Sequence, residues 1–294
     1  MVLRNQKMTS SLNLSSNPKV SIIIPCFNQC KYIGEAITSA LTQTYTNVEI
    51  VIINDASTDD SKSIIENFAQ KYKNIVFLNN EENKGVVYSR NTAIDAACGE
   101  YILPLDGDDK IEPTYVEKAV KILQNNPKIG IVYCKAKLFG NKCGEWKLPE
   151  FSETEILYQN CIFCSSLFRK SDFEKVGKYK EYMNNGHEDW DLWLSFLEAG
   201  LKVYKIDEFL FNYRQLSSNT RTDMTWETAK NLRLELLKNH LSLYTKSESF
   251  VDKVFRSPLR KIKKYKKLFF ILLYISILEF IFILAFFLTT AQEV

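Results

Sequence analysis

The chain has 294 residues, 46% hydrophobic and 25% charged, with 38 basic and 35 acidic side chains and a net charge of +3. These fractions exclude a disordered or collagen-like chain, and a charge this near zero argues against a nucleic-acid partner. The length suits one large domain or two ordinary ones.

Residues 1–18 are polar and lack an apolar run of signal-peptide length, so they read as a disordered leader of a chain that is not secreted. Residues 20–25 (VSIIIP) are apolar and β-branched, which predicts a buried strand. Over residues 31–42, Tyr32, Ile33, Ala36, Ile37, Ala40 and Leu41 recur at helical spacing. A second strand is expected over 48–53 (VEIVII). Ser57 to Asp60 resembles a capping box that opens a helix carrying Ile64, Ile65, Phe68 and Tyr72. There follow a strand at 75–78, a helix at about 86–97, a strand at 101–105, a helix after Pro113 and a strand near 129–133. Residues 134–187 show no regular pattern. A helix is expected over 189–199, a strand over 201–206 and an amphipathic helix over 226–243, with His240 on its surface. Strands that alternate with helices predict an α/β fold, a mostly parallel sheet with helices on both faces.

The chain then changes character. Residues 256–267 (RSPLRKIKKYKK) hold seven Lys/Arg and no acid, and without them the net charge falls from +3 to −4. Residues 268–288 are apolar all round apart from Ser276 and Glu279. As a helix these 21 residues would run about 31 Å, the thickness of a bilayer core. A single transmembrane helix is therefore expected, with the basic collar and the preceding domain on the cytoplasmic side of the membrane. The seven cysteines are scattered and odd in number, which fits free thiols in a reducing compartment. Cys161 and Cys164 form a CxxC without the second pair that a structural zinc site needs.

In open α/β sheets ligands bind beyond the carboxyl ends of strands. No GxGxxG or GxxxxGK[ST] occurs there, which disfavours a dinucleotide site or a P-loop. Pro25-Cys26-Phe27-Asn28 follows the first strand. Asp55 follows the second, where it serves equally as a helix cap or a ligand contact. Asp106-Gly107-Asp108-Asp109 follows the fourth. Carboxylates this close repel unless a cation or donors intervene, and a hard divalent ion takes such oxygen ligands. The plainer reading is a solvated Asp-Gly turn. Later comes His187-Glu188-Asp189-Trp190-Asp191. Acids here suit a helix N-terminus, but a carboxylate among aromatic rings can also act as a general base.

These segments resemble family 2 glycosyltransferases of GT-A fold. The resemblance runs through residues 20–61, through NKGVVYSRNTAI, through GEYILPLDGDDKIEP and through EDWDLWL, covering roughly 19–215. It implies a nucleotide-sugar donor, a divalent metal (Mn²⁺ or Mg²⁺), a glycan or lipid-linked acceptor and an inverting transfer. It implies a nucleotide-binding half over 19–125, an acceptor half over 126–222 and a helical connector over 223–267. By position, Pro25, Phe27, Asn28 and Asp55 border the nucleoside. Lys84, Arg90 and Asn91 lie beside the nucleotide, although Lys84 also sits in a plain turn and Arg90 also fits a solvated helix face. Asp106, Gly107 and Asp108 match the DxD segment, with Asp106 near the ribose and Asp108 at the metal. Asp189 matches the catalytic base, with Glu188 beside it. Many relatives carry a His two residues after Tyr213-Arg214. Here that position is Leu216, which leaves Arg214 as the candidate to stand in. The competing readings are a catalytically inactive, membrane-anchored sugar-nucleotide-binding scaffold and a nucleotidyltransferase.

Overall fold

The computed structural model describes residues 17–216 and 224–248. Four strands, β1 (Val20–Cys26), β2 (Val48–Asp55), β3 (Ile75–Asn80) and β4 (Tyr101–Pro104), run parallel in the order β3-β2-β1-β4. β1 and β4 are buried along their whole length, so both faces of the sheet are covered there, as the unbroken apolar runs require. Helices α1 (Ile33–Leu41), α2 (Ser61–Lys71) and α3 (Val86–Ala96) make the crossovers. Each βαβ turn brings the chain back parallel, so the carboxyl ends of β1, β2 and β4 line one edge.

Beyond β4 the sheet departs from expectation. β5 (Lys110–Ile111), α4 (Tyr115–Asn125), β6 (Ile129–Gly140), β7 (Gly144–Trp146) and β8 (Leu167–Arg169) follow. Then come α5 (Lys170–Lys175), α6 (Glu188–Glu198) and β9 (Lys202–Gln215). β8 pairs antiparallel with both β4 and β6, β5 antiparallel with β9, and β7 antiparallel with β6, while β6 and β9 are parallel. The sheet is mixed, not mostly parallel. The expected strand at 201–206 extends to Gln215, because its residues keep pairing with β6 through Gly140. The patternless 134–187 segment supplies the end of β6, the strands β7 and β8, the short α5 and two 3-10 turns, pieces too brief to leave a periodicity.

The capping box at Ser57–Asp60 does not form. Ser57 Oγ accepts instead from the Asn28 N–H (3.0 Å), and Asp59 Oδ1 accepts from the Ser61 N–H (3.0 Å) at the start of α2. The helix predicted over 226–243 is α7 (Trp226–Asn239), followed by the short α8 (Leu241–Lys246). The described residues divide after His240, those up to it falling in one unit and 241–248 in another. Leu232 and Leu236 lie on one stripe of α7, the C-cap His240 follows at the same spacing, and all three are buried. His240 is therefore not a surface residue. Among the described residues no helix is long and apolar enough to cross a membrane. The predicted span (268–288), the basic collar (256–267) and most of the leader lie outside the described residues.

Candidate active site

The carboxyl edge is held by crossed loops. Asn28 sits at φ 53°, and its Oδ1 accepts from the Thr58 N–H at 2.8 Å. Gln29 N–H donates to Ser61 Oγ and Cys30 N–H to Asp59 Oδ2. The β1 loop is thus laced to the loop after β2. Pro25 is buried at the strand end, while Phe27 is 46% exposed at the rim. A Cβ on Gly107 would run into Gln29 Oε1 and lie 3.2 Å from the Pro25 carbonyl, so the acid turn packs directly on this loop. Pro25 and Gly107 therefore pack together at this edge, with Asn28 in the same loop and Phe27 on its rim.

Asp55 is buried and does not cap α2. Its Oδ1 accepts from Lys84 N–H (3.0 Å) and Asn80 Nδ2 (2.7 Å), and its Oδ2 accepts from Gly85 N–H (2.8 Å). The carboxylate thereby shapes the turn that launches α3. Gly85 has φ 85°, a conformation that glycine adopts without strain, and a Cβ there would strike the Asn184 amide. Lys84 remains partly exposed, its Nζ over the Tyr88 ring. Asn91 spends its amide on the Tyr179 backbone, donating to the carbonyl (2.9 Å) and accepting from the N–H (3.2 Å). Its side chain therefore clasps the second half of the fold.

Arg90 is 2% exposed, which removes the solvated-helix reading. Its Nη2 donates to Asp106 Oδ1 at 2.6 Å and its Nη1 to Glu188 Oε1 at 2.5 Å. Burial works against the guanidinium charge, but Asp106 and Glu188 more than offset it and hold the group charged. One side chain thus ties the acid turn after β4 to the first turn of α6. Arg90 Nε is buried without a hydrogen-bond partner.

The acid turn is not a solvated loop. Burial, and then the neighbouring Asp106 charge, push the Asp108 carboxyl up to about 6. Asp109 is 1% exposed and turned inward. Burial, with Asp108 and Asp106 behind it, raises its acid well above the carboxylate range. Its Oδ1 accepts from the Arg214 N–H at 2.7 Å. Arg214 Nε donates to the Asp108 carbonyl (2.7 Å), and the guanidinium lies between the Tyr32 and Phe139 rings. Its Nη2 is 3.1 Å from Glu35 Oε2, an ion pair by distance without hydrogen-bond geometry. Arg214 therefore supports the turn through its own N–H and its Nε. Cys164 was missed by motif reasoning. Its thiol, raised mainly by burial, donates to Asp106 Oδ2 at 3.4 Å. All seven cysteines in the chain are free thiols.

Asp189 is the second residue of α6, whose N-cap His187 stands at φ 63°. Asn160 Nδ2 donates to its Oδ2 at 3.1 Å, and the Trp190 N–H to its Oδ1 at 2.7 Å. Trp190 and Trp193 are buried, with indole N–H groups on the carbonyls of Ile156 and Ile162. The helix is thereby fixed by large side chains, and Asp189 stands at its mouth.

Among the described residues no group of three or more His, Cys, Asp or Glu is placed to hold a metal ion. Asp106 and Asp108 still fit a hard divalent cation whose remaining ligands come from phosphate and water. A part-buried carboxyl pushed toward neutrality by desolvation and a neighbouring charge is the kind of group that a cation would ionise.

EpsE of Bacillus subtilis, provisionally named a glycosyltransferase, is 32% identical over 208 residues, 69% of this chain and 75% of that protein. TuaG of the same organism, provisionally named a teichuronic acid biosynthesis glycosyltransferase, is 28% identical over 72% of this chain and 85% of that one. The crystal structure of S. aureus TarS 1–349 in complex with UDP-GlcNAc shares the fold. Its TM-score is 0.65 at 19% identity, over 81% of this chain and 73% of that chain. Residues 21–177 match the family described as glycosyl transferase family 2, and the chain belongs to that family as a glycosyltransferase of GT-A-like fold.

Proposed function

We propose that the chain moves a hexosyl or N-acetylhexosaminyl group, with inversion, from a UDP-linked donor to a hydroxyl of a glycan or lipid-linked acceptor in cell-surface polysaccharide synthesis. The observation that carries this reading is Arg90, which joins the donor-side Asp106 to Glu188 beside Asp189. By its position in EDWD, beside the Arg90-bound Glu188, we read Asp189 as the carboxylate that takes a proton. It removes the acceptor hydroxyl proton as that oxygen attacks the anomeric carbon. The new C–O bond forms opposite the bond to the diphosphate, which breaks, so the carbon inverts. Asn160 orients the base. The crossed loops at Phe27, Asn28 and Asp55 and the turn at Lys84 and Arg90 border the nucleotide. Asp108, with Asp106, would hold a Mn²⁺ or Mg²⁺ ion, which when bound supplies countercharge for the diphosphate.

A UDP-linked donor is our reading; structures of similar fold were solved with UDP-GlcNAc and with GDP-Man and Mn²⁺, and the donor panel separates the two. We place the domain on the cytoplasmic face of the membrane, anchored by residues 268–288. The collar 256–267 suits anionic headgroups, and a lipid-linked acceptor would share that surface. The test is nucleoside diphosphate release from a panel of sugar nucleotides with Mn²⁺ or Mg²⁺, with the anomeric configuration of the product read by NMR. Release of pyrophosphate would establish a nucleotidyltransferase, and binding without turnover a scaffold. Deletion of 256–294 should free the protein from membranes.

A further inference from the structure

We propose that α7 splints the catalytic helix α6 and that His240, bridging Asp191 and Glu198, is a positioning residue for Asp189 in sugar transfer. This rests on the reading of Asp189 as the base.

The grip has two ends and a side. His240 Nε2 is 3.1 Å from Asp191 Oδ1, in the first turn of α6, and Nδ1 is 3.0 Å from Glu198 Oε2, at its last residue. Asn239 Nδ2 donates to the same Asp191 oxygen (3.2 Å) and to the Tyr182 hydroxyl (2.8 Å). Between the ends, the Arg233 guanidinium lies 5.1 Å from the Trp190 ring. Arg233 also donates to the Tyr158 carbonyl at 2.7 Å, two residues before Asn160, which holds Asp189. Two routes from α7 thus converge on Asp189, one through the helix and one through the 158–160 loop.

The bridge depends on charge. His240 is 3% exposed and Asp191 1%. A neutral imidazole has one N–H and would turn a lone pair toward one carboxylate, whereas the imidazolium donates to both. Burial opposes the charge, but Asp191 and Glu198 outweigh it and raise the His240 pKa. From the turn at Glu181–Met183, Tyr182 faces the cluster through Asn239. On α7 itself Glu235 pairs with Lys238. A raised histidine stabilises the fold fully below its unfolded value of about 6.5, and that contribution is lost as pH rises through the folded value. His240 is also the last residue before the boundary at Leu241, so the clamp secures the catalytic helix where the chain leaves the first unit.

The experiment uses the full chain, His240→Gln and Asp191→Asn, with Lys238→Ala as a control. The chain has two histidines, so the ring-proton NMR titration gives two signals, and His187→Gln assigns them. The expected results are a His240 titration above the ordinary value of about 6.5 and a steeper fall of Tm with rising pH in the unmodified chain than in His240→Gln. Turnover by both variants should drop about tenfold to a hundredfold in kcat with donor KM unchanged, and His240→Gln should lose the alkaline limb of the kcat profile. Titration of His240 at or below about 6.5 overturns the proposal, as does a His240→Gln chain with unchanged kcat and pH profile. If the variants fail to fold, the titration of the unmodified chain decides. If no sugar nucleotide is turned over at all, the proposed function fails while titration and Tm still judge the clamp.

Discussion

Strands β1 to β4 bring Asp55 and Asp106 to one edge by backbone pairing. Residues Val20 to Cys26 pair in register with Val48 to Asn54, and Val20 to Ile23 with Tyr101 to Pro104, so the three carboxyl ends must fall side by side. The second half delivers Asp189 by side chains. Arg90 holds Glu188, Asn160 holds Asp189, and Trp190 and Trp193 bury the helix behind them. An edge aligned by strand register has its carboxyl ends fixed before any side chain acts. A helix held by a few polar contacts is adjustable, and each contact matters more.

The comparison breaks first at Asp189. Asp189→Asn keeps the size of the side chain but removes the base. Turnover should fall by about 100-fold or more, while donor binding measured by calorimetry stays as it was. Full activity in this variant would remove the division between a donor-binding edge and a proton-accepting helix.

Next comes the link between the halves. Arg90→Met retains apolar bulk and leaves Asp106 and Glu188 without their cation. Breaking a buried ion pair costs about 3 kcal/mol or more, so Tm should fall by several degrees. Donor affinity and kcat should fall together, because one side chain serves both regions. A loss confined to donor affinity would show that Arg90 belongs to the nucleotide site alone.

The halves also differed in what could be read from residues. VSIIIP and VEIVII are continuous β-branched runs, and their strands lie where the pattern put them. The acid turn and EDWD are contiguous, so their residue types could be recognised. Contacts between distant positions leave no periodic trace. Nothing in the sequence marks Arg90 as reaching Glu188 across 98 positions, or Cys164 as reaching Asp106. The hold of Asn91 on Tyr179 is of the same kind, and His240 reads as a surface residue because an amphipathic pattern cannot show what faces its polar residue. Arg214 is hidden for a related reason. Its work passes through its own N–H and the carbonyl of Asp108.

A smaller effect is expected at Gly85. Gly85→Ala must adopt φ 85° and displace Asn184, whose Oδ1 accepts from the Val87 N–H at the start of α3. The strain should cost about 1–3 kcal/mol, read as a lower urea midpoint. Because Asn184 belongs to the second half, this variant should disturb Asp189-dependent turnover more than donor affinity. The reverse ranking would place the turn wholly within the donor edge.

The smallest effect concerns acid stability, and it sharpens the account of the crossed loops. Asp59 Oδ2 accepts from the Cys30 N–H and Oδ1 from the Ser61 N–H, both at 3.0 Å. Burial alone would raise its pKa, but the hydrogen bonds from Ser61 and Cys30 outweigh it and lower the carboxyl to about 2. The group is depressed relative to an unfolded value of about 3.9, so its stabilisation is present above that pH and is lost as pH falls toward 2. Asp59→Asn should therefore lie below the unmodified chain in Tm at pH 6, and the gap should narrow between pH 4 and pH 2. His240 predicts the opposite slope on the alkaline side, from the other half of the fold. A gap at Asp59→Asn that stays constant with pH would mean that the lacing rests on loop shape and not on the carboxylate charge.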